Sequence, residues 1–109
     1  MAAYDDFLGA FKGQLQSLAN TDLKDFASTA VSDGEAFLKQ SEADLKTWTQ
    51  KLAAKTLSLQ DFQYLVQGKK DLAIMVGLQK AGLAQAKLDQ FTNGVLGAVI
   101  SSATKTFLN

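Results

Sequence analysis

Apolar residues recur along this chain at helical spacing, and the side they mark changes once. Tyr4, Phe7, Leu8, Phe11, Leu15 and Leu18 fall on one stripe at i, i+3, i+4, i+7 intervals, which predicts a first helix from about Tyr4 to Ala19. Asp5 and Asp6 stand in its first turn, where carboxylates suit the helix dipole. Gly9 and Gly13 lie off the stripe, and we read them as tolerated weak points on an exposed face rather than a close helix contact.

Asn20-Thr21-Asp22 reads as a break, with Asn20 or Thr21 capping the helix that follows. That second helix is expected from about Asp22 to Lys55. Its stripe is Leu23, Phe26, Ala27, Ala30, Gly34, Phe37, Leu38, Ser41, Leu45, Trp48 and Leu52. At about 100° per residue these positions stay in a narrow arc, so a straight helix with one continuous partner is expected. Its polar back carries Glu35–Lys39 and Glu42–Lys46 at the favourable i, i+4 orientation. Trp48, at helical spacing, reads as core.

Thr56-Leu-Ser-Leu-Gln-Asp-Phe62 is the clearest local signal. Ser58 is placed as N-cap with Asp61 three residues on, and Leu57 and Phe62 as the hydrophobic staple. A tight turn there returns the chain antiparallel. The third helix then starts near Leu59 with the stripe Phe62, Leu65, Leu72, Val76 and Leu83 facing helix two. From Leu88 the apolar side moves round to Leu88, Phe91, Val95, Leu96, Val99, Ile100, Ala103 and Phe107. A buried face that changes side means a change of partner or a break. We place the break at Asn93-Gly94, where Asn and Gly accept the left-handed geometry that ends helices; an unbroken helix to about Leu108 is the alternative.

The expected fold is therefore all-α. Two long helices of about 34 residues, each about 50 Å, form an antiparallel hairpin, and short N- and C-terminal helices pack at its open end to give a three- to four-helix bundle. A chain of 109 residues, 47% hydrophobic, fits a single such domain.

The stretch Asp71-Leu-Ala-Ile-Met-Val-Gly-Leu78 is apolar on every side of its helix. Leu72 and Val76 are assigned to the seam with helix two. Ile74 and Leu78 point elsewhere, in the direction of Leu96 and Ile100, and need a second covering surface. Ile74, Leu78, Leu96, Ile100 and Phe107 are accordingly the interface candidates.

Composition narrows the chemistry. There is no His or Cys, and all 11 basic residues are lysines, balanced by 11 acids. Without His and Cys the usual ligands for zinc, copper and haem iron are missing, together with the commonest general base. With no nucleophile–base pair in view, no catalytic residue and no cofactor or metal site is assigned, and the protein is read as a non-enzyme. Evenly spread lysines at zero net charge give no footprint for nucleic acid. No transmembrane helix and no cleavable signal peptide are expected. Asp71 and Asp89 are placed beside the second apolar side, and Lys69-Lys70-Asp71 as a solvated patch.

What this leaves is a structural or interaction module that assembles with itself or with another helical protein. The second reading is a lipid-active protein using the Gly-rich apolar segment Phe91–Ile100, although the basic face that anionic lipid requires is missing. A third is a carrier of a small apolar ligand in gaps at Gly34, Gly77 and Ala81.

Overall fold

The computed structural model describes residues 2–72 and 75–108, and the chain is all-helical there, with no strand among the described residues. Six α-helices follow one another: α1 (Ala2–Asp22), α2 (Ala27–Gln40), α3 (Glu42–Ala53), α4 (Leu59–Gln67), α5 (Val76–Lys80) and α6 (Gln85–Phe107). Short 3-10 turns at Lys24–Phe26 and Lys70–Leu72 join α1 to α2 and follow α4.

The core is built on α1 and α6, which make the largest helix–helix contact. They run antiparallel: the Phe7 and Phe107 rings lie 6.2 Å apart, Gln14 Nε2 donates to Ser102 Oγ at 3.1 Å, and Leu18 packs onto Gly94. The predicted stripe of the first helix supplies Phe7, Phe11 and Leu15, all fully buried, while Phe91, Val95 and Val99 face them from α6. Gly9 and Gly13 are exposed with open space where a Cβ would stand, as expected of an outward face.

The second predicted helix keeps its stripe but not its continuity. Leu23, Ala30, Gly34, Phe37, Leu38, Ser41, Leu45 and Leu52 are all buried. Gly34 sits under Leu15, whose Cδ1 would be 2.6 Å from an added Cβ, so α1 and α2 approach closely here. Asn20 and Thr21 do not cap anything; both belong to α1, which runs on to Asp22, and neither Leu23 nor Phe26 makes a side-chain cap. The rod also kinks at Ser41, whose φ of −97° and ψ of 6° leave the helical range. The ladder survives the kink, since Ser41 N–H donates to Phe37 O and Leu45 N–H to Ser41 O at 3.0 and 2.9 Å. The kink lets α2 and α3 choose different partners: α2 packs on α1 and α5, α3 on α4 and α6.

The turn after α3 forms as its sequence directs. Thr56 N–H bonds Lys51 O and Lys55 N–H bonds Leu52 O, with Lys55 at φ 64°, the pattern of a left-handed helix stop. Ser58 Oγ then accepts from Asp61 N–H at 3.0 Å and starts α4, with Phe62 buried and Leu57 half-buried beside it.

The third predicted helix is where expectation and structure part. It does not break at Asn93-Gly94, which lies inside the continuous α6. Gly94 serves packing instead, because a Cβ there would stand 2.8 Å from Leu18 Cδ2. The breaks come earlier, between Gly68 and Ala84. Met75 takes the left-handed conformation at φ 54°, and Gly82, at φ 85°, ends α5 with Gly82 N–H on Gln79 O and Leu83 N–H on Leu78 O. Two 34-residue helices are therefore replaced by shorter pieces, and the terminal helices are the longest elements.

One side chain of α2 caps α5. The Asp33 carboxylate accepts from Gly77 N–H at 3.1 Å and Leu78 N–H at 2.8 Å, capping α5 from another helix. Leu78 beside it is fully buried.

Candidate functional site

Two recesses gather side chains with chemistry to offer. The first is a cleft of about 560 Å³ between the start of α1, α3 and the end of α6. Tyr4 and Leu8, one turn apart, form its α1 wall. Glu42, Lys46, Thr49, Gln50 and Ala53 line it from α3, with Ala54 and Phe107 completing the lining.

Tyr4 is the distinctive group. It is only 9% exposed, and its hydroxyl oxygen has no hydrogen-bond partner among the described residues. Burial, reinforced by the Glu42 carboxylate, pushes the phenol up to about 12, so it is a proton-bearing donor throughout the neutral range. Its ring lies 5.5 Å from the Phe7 ring, and the Lys46 ammonium stands 5.5 Å from its centroid while pairing with Glu42 at 3.0 Å. The Thr49 hydroxyl is already committed to Leu45 O at 2.7 Å. The Tyr4 hydroxyl lies out of solvent contact, and the exposed donors on the cleft wall are Lys46 and Gln50. A cleft of this size falls within the range of small-molecule sites.

The second recess is an open groove of about 710 Å³ between α3 and α4, lined by Trp48, Tyr64, Leu65, Gln67, Gly68, Lys69 and Asp71. Trp48, expected in the core, is only half-buried; its ring lies 5.5 Å from the Lys69 ammonium, which pairs with Asp44. Tyr64 is 77% exposed, the most exposed large apolar side chain of the described residues. The Lys69-Lys70-Asp71 cluster is solvated only in part, because Lys69 is drawn into this ion pair.

The predicted interface residues are scattered. Leu78 is spent in the core beside α2, so its covering element belongs to this chain. Val76, assigned to the seam, is instead 52% exposed, because the break before α5 turns that helix. Leu96 is buried and Ile100 half-buried; the two share the wall of a shallow hollow with Gln67, Lys70 and Asn93. Phe107 is half-buried in the Tyr4 cleft, away from that pair. Ile74 lies outside the described residues. Asp71 and Asp89 are both exposed, Asp89 accepting from Gln85 Nε2 at 3.0 Å. The gaps proposed for a carrier are occupied or open to solvent: Gly34 by Leu15, Gly77 by Asp33 and Thr29, with Ala81 exposed.

Sequence reasoning missed Tyr4, Glu42 and Lys46 as a set, because a stripe residue and two polar-back residues meet only in three dimensions. Tyr64 did carry a signal: it is an aromatic outside the Phe62–Leu65 stripe. No group of three or more metal-ligating side chains occurs among the described residues, and no described helix is long and apolar enough to cross a membrane. No protein family, curated protein or solved structure matches the chain.

Proposed function

We propose that the protein is a helix–helix interaction module that pairs with a second copy of itself through the α3–α4 groove. In this reading α3 and α4 form a helical hairpin that presents the groove, and α1, α2 and α6 are the bundle that supports it. The observation that carries the proposal is Tyr64, 77% exposed beside Trp48 and one turn from Gly68. Exposed Tyr and Trp are the side chains most often found at the energetic centre of protein interfaces. A protruding ring and a recess that Gly68 helps to line on the same face are what a two-fold, self-complementary contact needs. The rim carries both signs, with Lys70 and Asp71 exposed, so two copies about a dyad can set opposite charges against each other.

The test is a concentration series by light scattering or sedimentation on the native protein and on Tyr64→Glu. Native protein is expected to dimerise, and Tyr64→Glu to remain monomeric with an unchanged melting curve, since the side chain contributes little to the fold. A native protein that stays monomeric at its highest soluble concentration overturns the proposal. Assembly that survives Tyr64→Glu and fails with Ile100→Asp moves the contact to the Leu96–Ile100 hollow and overturns the groove.

A further inference from the structure

One lysine spans the open end of the α3–α4 hairpin. The turn over residues 54–58 ties the two helices at their other end, yet they touch along far less of their length than α1 and α6 do. The groove of about 710 Å³ opens between them. Lys69, one residue past the C-cap of α4, pairs there with Asp44 in the first turn of α3. We propose that Lys69 is a positioning residue: held by Asp44, it fixes the Trp48 ring as a rigid wall of the groove before a second copy docks. The docking half of this inference rests on the groove being the self-association surface, whereas the fixing of Trp48 is a property of the free monomer.

The geometry joins three side chains through one cation. Asp44 and Trp48 stand four residues apart on α3 and so share a face of that helix. The Lys69 ammonium arrives from the end of α4, pairs with Asp44 and lies 5.5 Å from the Trp48 ring centroid. A cation within about 6 Å of an indole face is attracted to it. Trp48 therefore cannot swing away without giving up the cation, and Asp44 keeps the cation where it is.

Burial sets this pair apart from the other cross-charge contact of α3. Lys69 is 22% exposed, whereas Lys46, paired with Glu42 on the same helix, is 52% exposed. A charge drawn in from solvent is screened less. Both partners also suit the helix ends they occupy, a carboxylate at the start of α3 and an ammonium beyond the end of α4.

Trp48 and Lys69 line the groove together with Tyr64, while Asp44 is not part of the lining. Association loses free energy for every side chain it has to immobilise, and a ring already held avoids that loss.

Trp48 is the single tryptophan, so its fluorescence anisotropy and its quenching by acrylamide report on this ring alone. In dilute monomer, Lys69→Ala and Asp44→Ala should each lower the anisotropy and raise the quenching. Lys69→Arg, which keeps the cation, should retain the native values. In a concentration series the two alanine variants should dimerise more weakly, by about two- to tenfold for each ring that must be ordered on binding, and Lys69→Arg should dimerise as the native protein does. Melting curves of all three should stay close to native. Native anisotropy and quenching in both alanine variants overturn the fixing of Trp48, whatever the state of assembly. Weaker dimerisation in Lys69→Ala but not in Asp44→Ala makes Lys69 a contact and overturns its positioning role, as does a freed ring with native dimerisation. Native protein that stays monomeric overturns the groove reading and the docking half with it, and the monomer fluorescence then decides the fixing of Trp48 by itself.

Discussion

Burial holds the Tyr4 hydroxyl in its protonated form, and the nearby Glu42 carboxylate adds to the effect by opposing a second negative charge. The consequence for stability has a definite sign. The folded phenol titrates at about 12 against 10.0 for an unperturbed one, so between those values the folded chain keeps a proton that the unfolded chain has released. Its contribution is fully present below pH 10.0 and is lost as pH rises towards about 12. In a Tyr64→Phe variant Tyr4 is the one tyrosine left, and its phenolate absorbance should develop near the top of that window. Across the same window native protein should lose more stability than Tyr4→Phe, which has no phenol to titrate. A phenolate signal centred on 10.0 would mean that water reaches the hydroxyl. Nothing in the sequence distinguished this tyrosine from the other members of its stripe. The periodicity of Tyr4, Phe7 and Phe11 gave its burial, but the partners that define its chemistry come from α3 and are remote in sequence.

Among the elements, α5 is the shortest α-helix described and the one capped by a side chain of another helix. Its five residues are too few to persist alone, since helix nucleation is costly and short helices are marginal in water. Leu78 seats it in the core, and Asp33 satisfies two of its otherwise orphan amides. Asp33→Ala removes both acceptors, an effect of about 1–2 kcal/mol by analogy with other lost caps. Hydrogen exchange should locate the loss: the amides of Gly77 and Leu78 should exchange faster, while those in the middle of α1 and α6 stay protected relative to global unfolding. Uniform change across all helices would show that Asp33 acts on the whole fold instead. This element also marks the limit of what the sequence disclosed. The first helix, the stripe of the second and the Ser58 cap were legible because each rests on neighbours within one or two turns. The break between Gly68 and Ala84 was not, because Phe62, Leu65, Leu72, Val76 and Leu83 keep a helical period straight through it. What overrides that period is in part tertiary, since Asp33 captures the Gly77 and Leu78 amides, and in part local, since the left-handed stop at Gly82 redirects the chain. Asn93-Gly94 misled for the converse reason, since a glycine needed for close approach to Leu18 has the same appearance in sequence as one that ends a helix.

At the scale of the whole molecule, the longest contact joins the two ends of the chain. α1 and α6 are separated by more than sixty residues of sequence, yet α2, α3 and α4 pack against the pair they form, and α5 packs on α2. Loop closure on that scale costs entropy before its contacts repay it, so the pair should form together with the helices it supports and not ahead of them. Phe91, fully buried on α6, tests this. Truncating such a side chain costs about 3–5 kcal/mol, a large share of the roughly 5–15 kcal/mol that holds a domain together. Trp48, the single tryptophan, lies on α3 in the outer groove and reports on a different part of the structure. In Phe91→Ala, loss of helical circular dichroism and the change in Trp48 fluorescence should therefore shift to lower temperature together and remain superimposable, as a two-state domain requires. Two separated transitions, with Trp48 melting at its native temperature, would show that α3 and α4 fold as a unit independent of the terminal pair. The α3–α4 groove would then be a surface that survives without the α1–α6 core, and the Tyr4 cleft, which draws its walls from both units, would be lost in the first transition.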